Sequence, residues 1–598
     1  MGTANKELTR LILTRMNEDG SYGAQSVLTS TNMKVRAMCL IPSKLVIPVI
    51  FVPGIMGSRL KVKNSEKTKA WFPPEGKIAG LGQVVGTMGR SAATRQRILD
   101  PNNTEVDNSG PAHAPPESAV LMGDAPGETD AERATRRGWG QLHEDSYGVI
   151  LDVLEQRLSA MFRNGKDVDE RWAAAVMDWQ EERTKVTRAG RTSRTGAQRM
   201  GAVKPFTPID QEALKRAASA FYPVYAVGYN WLQSNKASGK HLAQEIKRIR
   251  DFYRDRNKVC DKVIVVTHSM GGLVARACAQ LDEAKDMILG VVHGVMPAIG
   301  APATYKRMRA GFEGPEQALL GRDGADATAV LANAPGPLEL LPTRQYRTRD
   351  PDGVQRHWLR TTSPVSGPGP SPRAQGQRKS AALGDGGDIY ADIYLNNKAD
   401  SWWRLVKEQL IDPAGREDRE KAREKARKEG KKVVEENEIK SDFDRFDKVM
   451  KQARELHDLI EDKYHPVTYA SYADDKNRPS WNEVRWHCIR PIDGDCRSGD
   501  LVDDDLNGTV KVRAGKMEYE FSIAGQEGPG DGTVPAESGC APTQHVTQIF
   551  RHQGLAGGHT SYDHQGSYKA DVVQAVTLYS IARMAVDSEW LKANLHRA

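Results

Sequence analysis

The chain has 598 residues, 85 Lys and Arg against 78 Asp and Glu for a net charge of +7, and 39% hydrophobic residues. Such a length is several times that of a typical ~150-residue domain and excludes a minidomain, and so slight a positive surplus excludes a polyanion binder, so no nucleic-acid partner is expected. Six cysteines with no CxxC pair point to neither a zinc knuckle nor a disulfide scaffold.

In chain order, Met1-Gly-Thr-Ala-Asn-Lys6 lacks the apolar core of a signal peptide, and Lys6 stands where a myristoylation motif needs Ser or Thr. Synthesis in the cytoplasm without a signal peptide is expected, with residues 1–44 as an extension. Leu45 to Val52 is a continuous apolar run ending in Pro53-Gly54, the pattern of a strand buried on both faces. It is too short and too broken by proline to span a bilayer, which takes ~20 apolar residues.

Residues 84–137 are rich in Gly, Pro, Asn and Ser and read as loop or disorder. Arg183 to Lys204 holds seven basic residues and no acid, a solvated loop or one that meets phospholipid phosphate. Phe221 to Trp231 supplies a strand, and His241 to Phe252 a helix. Lys262 to Thr267 is a second buried strand, which runs directly into His268-Ser-Met-Gly-Gly272 and a helix with Leu273, Val274, Ala277 and Leu281 on one face. Met287 to Met296 repeats the strand pattern and again ends in Pro and Gly.

Further on, residues 350–387 are poor in apolar side chains and read as loop or disorder. Residues 414–440 carry alternating charges on good helix formers and read as an exposed helix, with a partner-binding arm as the sharper alternative. Met517, Tyr519, Phe521 and Ile523 alternate with polar residues as a half-solvated strand does, Val546 to Phe550 is another strand, and Tyr568 to Met584 a helix. Cys260 and Cys278 read as core residues, while Cys488 and Cys496 are candidates to pair in an oxidising compartment. Strands separated by helices imply an α/β fold, a mostly parallel sheet with helices on both faces.

A strand ending at Thr267 and a helix starting near Gly271 put Ser269 on a sharp turn, the nucleophile elbow. Thr267 fills the first glycine position of Gly-x-Ser-x-Gly, so the turn must admit extra bulk. The competing reading is that Ser269 merely caps the helix. A serine hydroxyl is a weak nucleophile and needs a histidine base oriented by a carboxylate, expected downstream in the order Ser, Asp, His. Asp531, on the glycine-rich turn Gly528-Pro-Gly-Asp-Gly-Thr-Val-Pro535, suits the carboxylate, against a simple Asp-Gly turn. The base should be His564, which immediately precedes the last helix; His559 is its rival and His552 a third candidate. The backbone N–H groups of Met270 and Ile55 are the expected oxyanion donors.

Val52-Pro-Gly-Ile-Met-Gly-Ser-Arg-Leu60, Trp71-Phe-Pro-Pro74, Gly228-Tyr-Asn-Trp231, Thr267-His-Ser-Met-Gly-Gly-Leu-Val274 and Gly530-Asp-Gly-Thr-Val-Pro535 together resemble the α/β-hydrolase lipases related to lecithin:cholesterol acyltransferase and the PGAP-like lipases. The large insertions, Gly228 to Asn235 and His564-Gln-Gly-Ser-Tyr568 more particularly resemble type VI secretion lipase effectors. The first resemblance implies a hydrolase core over 45–300 and 516–598, with inserted loops at 61–220 and a lid or cap at 301–515 that includes the charged arm at 414–440. It implies a serine esterase acting on phospholipid at a membrane surface, with neither metal nor organic cofactor. The finer one implies an antibacterial toxin secreted into the periplasm of target cells, a cognate immunity protein, and a secretion adaptor or spike protein. An acyltransferase with the same triad and a non-catalytic binding protein on a hydrolase scaffold are the alternatives. The last would leave Asp531 and the histidine out of hydrogen-bond reach of their partners.

Overall fold

The computed structural model describes the chain except for residues 1–7, 13, 18–20, 25–34, 40–42, 66–67, 73–88, 112–127, 164–166, 173–198, 315–316, 318–319, 350–354, 366–377, 385, 431–440, 555–558 and 598. Strands β1 (Val49–Val52), β2 (Val224–Ala226), β3 (Val263–His268), β4 (Ile288–Gly294), β5 (Thr468–Ala473) and β6 (Gln548–His552) form one sheet. Their order is β2-β1-β3-β4-β5-β6, and every neighbouring pair is parallel. All six residues of β3 are buried, as a strand covered on both faces requires.

Helices α1 (Glu144–Ser159), α2 (Asn235–Arg254), α3 (Gly271–Ala279), α4 (Asp442–Ile460) and α5 (Asp571–Asp587) cover the sheet. Alternation along each strand divides the interior in two. Ile50 and Val52 join Val263 and Val265 in a core closed by α2, α3 and α4. Val49 and Phe51 join Ile264 and Val266 in a second core closed by α1 and α5. The expected α/β-hydrolase architecture, a mostly parallel sheet with helices on both faces, is therefore the observed one. Among the described residues no helix is long and apolar enough to cross a membrane.

Several pieces lie elsewhere than their composition suggested. Helix α1 packs on the core although it falls inside the 61–220 stretch, and β5 is a core strand inside 301–515. The strand Met517–Ile523 belongs to a second, inserted sheet, together with Arg378–Ala382, Leu359–Pro364, Val484–Cys488, Asp500–Asp504 and Thr509–Ala514. Its alternation is real, with Tyr519 and Phe521 buried, but the face it covers is the insertion's. Two of these strands lie in residues 350–387, and the stretch 84–137 holds the helices Ala92–Ile98 and Asp130–Arg136, so neither is a loop throughout. Polar, glycine-rich segments fold here because tertiary partners bury their few apolar residues.

The charged helix runs Pro413–Lys428, while 431–440 lies outside the described residues. Its start is docked: Arg97 reaches Glu417 at 3.0 Å and Asp418 at 2.8 Å, and Gln96 donates to Asp412 at 2.8 Å. Most of the basic stretch from Arg183 lies outside the described residues. Cys488 and Cys496 are both buried with free thiols.

Candidate active site

Strand β3 ends at His268, and α3 starts at Gly271, leaving Ser269 and Met270 to make the turn. Ser269 has a φ of 52°, in the left-handed region that costs an ordinary residue about 1–2 kcal/mol. The strain is held by its own N–H, which donates to the Gly294 carbonyl of β4 at 2.9 Å, and by its carbonyl, which accepts from the Gly272 N–H at 2.9 Å. A Cβ on Gly271 would lie 2.4 Å from the Pro53 carbonyl oxygen, so only glycine lets helix and oxyanion loop approach this closely. Thr267 is tolerated at the first motif position because its Oγ1 finds His293 Nδ1 at 2.9 Å and its carbonyl accepts from the Tyr568 hydroxyl at 2.9 Å.

Asp531 and His564 arrive on separate elements. Asp531 follows the short strand Gly528–Gly530, which pairs with Asp475–Ser480 just beyond β5, and His564 sits in the loop between β6 and α5. Asp531 is buried, and its Oδ1 accepts the N–H groups of Thr533 at 3.0 Å and Val534 at 2.7 Å. Its Oδ2 lies 2.7 Å from His564 Nδ1, and His564 Nε2 lies 2.8 Å from Ser269 Oγ. A carboxylate only accepts, so Nδ1 carries the imidazole proton and Nε2 is left to accept from the serine hydroxyl. The His564 N–H also donates to the Asp531 carbonyl at 2.8 Å.

The rival histidines are engaged elsewhere. His559 Nδ1 accepts the Gln553 N–H at 3.2 Å, and its ring lies 5.3 Å from that of His552. His552, buried beside Tyr562 at 2.8 Å, has its imidazole pushed down to about 3 by burial.

The loop from Pro53 to Ser58, where the oxyanion donor Ile55 is expected, is pinned by the motif residues themselves. The Trp71 indole donates to the Met56 carbonyl at 2.7 Å, and the Tyr229 hydroxyl to the Pro53 carbonyl at 3.1 Å. Asn230 Nδ2 donates to the Thr104 carbonyl at 3.0 Å, and the Tyr229 N–H to Ser58 Oγ at 3.0 Å. No hydrogen bond within the described residues occupies the N–H of Ile55 or of Met270. Ile55, Met56, Ser269 and His564 line one cleft with Phe312, Leu340 and Val534. Helix Ala303–Ala310 adds Thr304 and Arg307 to its wall.

Two side chains at this site, Tyr147 and Arg307, had no motif to announce them. Tyr147 of α1 and His268 hydrogen-bond to each other at 2.9 Å beneath the elbow. Arg307 was equally silent, lying in a stretch with no recognisable pattern. Among the described residues no cluster of His, Cys, Asp and Glu has the makings of a metal site.

The profile of the PGAP1-like alpha/beta domain matches residues 234–313, from α2 through the elbow to the helix that walls the cleft. No curated protein matches the chain. Among solved structures, a chain in "The crystal structure of Tle4-Tli4 complex" is 29% identical, with a TM-score of 0.70, covering 91% of this chain and 99% of that one. The resemblance to PGAP-like hydrolases and to type VI lipase effectors is borne out by these two findings. The chain carries a PGAP1-like α/β-hydrolase domain inside an architecture shared nearly end to end with that neighbour.

Proposed function

We propose that this hydrolase is a serine carboxylic-ester hydrolase that cleaves membrane phospholipids and serves as an antibacterial toxin of type VI secretion. The observation that carries the esterase reading is the line Ser269 Oγ to His564 to Asp531, at 2.8 and 2.7 Å, on a serine with left-handed backbone. Such contacts lie within the reach a nucleophile and its base need, and a non-catalytic scaffold would not require them.

Ser269 Oγ attacks the ester carbonyl as its proton passes to His564 Nε2, and Asp531 stabilises the imidazolium. The N–H groups of Met270 and Ile55 hold the oxyanion. The imidazolium returns its proton to the departing alcohol, and water, activated by the same histidine, releases the acid from Ser269.

The phospholipid reading is supported by the chemistry of the cleft. Met56, Phe312, Leu340 and Val534 offer apolar surface to an acyl chain, and Arg307 offers a guanidinium to a phosphate. Arg307 and Lys306 share the single carboxylate of Glu313, which leaves that wall with a net positive charge. The effector reading is supported by likeness to a chain solved together with Tli4. By analogy a cognate immunity protein would neutralise this enzyme, a secretion adaptor or spike protein would carry it from the cytoplasm where it is made, and the periplasm of target cells would be its destination.

Fatty-acid release from phosphatidylglycerol and phosphatidylethanolamine vesicles tests the activity. Wild type should release it, and Ser269→Ala should fall about 10³-fold or more. Turnover of short soluble esters alone would overturn the phospholipid reading, and full activity of Ser269→Ala the esterase reading. Growth arrest on export to the bacterial periplasm, absent with Ser269→Ala, is the result expected of a toxin.

A further inference from the structure

His268 is 1% exposed, immediately precedes Ser269, and takes no part in proton transfer as described above. Both of its ring nitrogens are nevertheless engaged, each with a different loop of the site. Nε2 lies 2.9 Å from the backbone carbonyl oxygen of His564, and Nδ1 lies 2.9 Å from the hydroxyl of Tyr147. That hydroxyl in turn accepts the N–H of Gly54 at 3.1 Å.

The direction of every bond follows from the ends. A carbonyl oxygen only accepts, so His268 Nε2 carries the proton. Burial holds the ring neutral, with its pKa pushed down to about 3, so Nδ1 is bare and accepts from Tyr147. The Tyr147 oxygen then has lone pairs for the Gly54 N–H. The chain runs one way: Gly54 N–H to Tyr147, Tyr147 O–H to His268, His268 Nε2–H to the His564 carbonyl.

Each end of this chain sits next to a group the reaction needs. Gly54 adjoins Ile55, the oxyanion donor, and the His564 carbonyl belongs to the base itself. A Cβ on Gly54 would lie 2.8 Å from both His268 Nδ1 and Ser269 Cβ, so oxyanion loop and elbow are in direct contact through this ring. Beside it, Gln565 Nε2 donates to Ser146 Oγ at 2.7 Å, a second tie between the base loop and the start of α1. The His268 ring also faces the His564 ring at 4.9 Å and Tyr568 at 6.0 Å.

We infer that Tyr147 and His268 are positioning residues that lock the oxyanion loop to the base loop across the nucleophile elbow, acting on turnover and not on substrate binding. The inference rests on the serine-esterase reading, because only then do the two loops have to be aligned.

The test uses the full chain and p-nitrophenyl butyrate, with Ser269→Ala as the control. Tyr147→Phe and His268→Leu should each lower kcat on the order of tenfold or more, because small misplacement of catalytic groups is costly, while KM stays within about twofold. His268→Gln keeps a donor for the His564 carbonyl and should recover most of the loss. The double variant Tyr147→Phe/His268→Leu should be little worse than the poorer single one, as expected of two members of one chain. Wild-type kcat in Tyr147→Phe, losses carried by KM, additive losses in the double variant, or no rescue by His268→Gln would each overturn the inference. Retained activity in Ser269→Ala would instead remove the esterase reading beneath it, so the two failures are distinguishable.

Discussion

Gly54 illustrates how little room the site leaves a single atom. An added methyl would sit 2.8 Å from two heavy atoms of the elbow, one of them a ring nitrogen already hydrogen-bonded. Gly54→Ala is therefore expected to fold and to lose more than about tenfold in kcat, measured on a soluble ester, because the loop must back away from Ser269. Glu339 makes a different residue-scale prediction. It is buried, its Oε2 accepts from the N–H and Nδ2 of Asn235 at 2.7 and 2.6 Å, and burial pushes its carboxyl up to about 8. In the folded chain it keeps its proton to about that pH, whereas unfolded it loses it near 4.3, so its contribution to stability declines as pH rises between those values. Glu339→Gln should remove that decline, seen as a thermal midpoint that rises relative to that of wild type between pH 5 and pH 8.

At the scale of elements, the strand, turn and helix from Val263 to Ala279 are set by local chemistry, whereas the cleft wall depends on long-range packing. Helix Ala303–Ala310 follows β4 and places Arg307 across from the elbow only because the Tyr305 hydroxyl anchors on the Trp403 carbonyl at 2.5 Å and Met308 is buried beneath. Arg307→Gln should lower kcat/KM on anionic phospholipid vesicles on the order of tenfold, as for loss of a charge-assisted contact worth about 1.5 kcal/mol, and leave a neutral short-chain ester within about twofold. Equal losses on both substrates would mean that Arg307 shapes the wall and does not read the headgroup. The helix Pro413–Lys428 shows the opposite balance. Its charge pattern was legible in the sequence, but its docking through Arg97 and Gln96 was not, since those partners lie more than three hundred residues away along the chain.

Across the whole molecule, burial of histidine makes the fold acid-sensitive. His268, His293 and His552 are pushed down to about 3 and His457 to about 4, each chiefly by burial. They stay neutral in the folded chain but bind protons once unfolded below about pH 6.5, so stability is lost progressively as pH falls from there toward 3. Glu339 and Asp152, whose carboxyl burial pushes up to about 7, act in the other direction, as two groups against four. Calorimetry from pH 7.5 to pH 5 should show the thermal midpoint dropping increasingly steeply below about pH 6.5. A flat profile would mean that these rings gain protons without unfolding.

The sequence by itself determined the α/β architecture, the elbow, and Ser269, Asp531 and the oxyanion loop of the proposed site, because each is written locally. Apolar runs bounded by Pro and Gly declare buried parallel strands, and a serine between a strand and a glycine-led helix has one sharp turn open to it. Five short motifs in order then carried the resemblance. Tertiary structure alone decided which histidine meets Ser269, since His552 ends β6, His559 and His564 lie in the loop after it, and the direction of each ring depends on how the backbone turns there. It alone decided that Tyr147, from a stretch expected to be an inserted loop, sits beneath the elbow, and that the alternating strand at 517–523 belongs to the inserted sheet. Period-two alternation states that one face of a strand is covered, and it carries no information about what covers it.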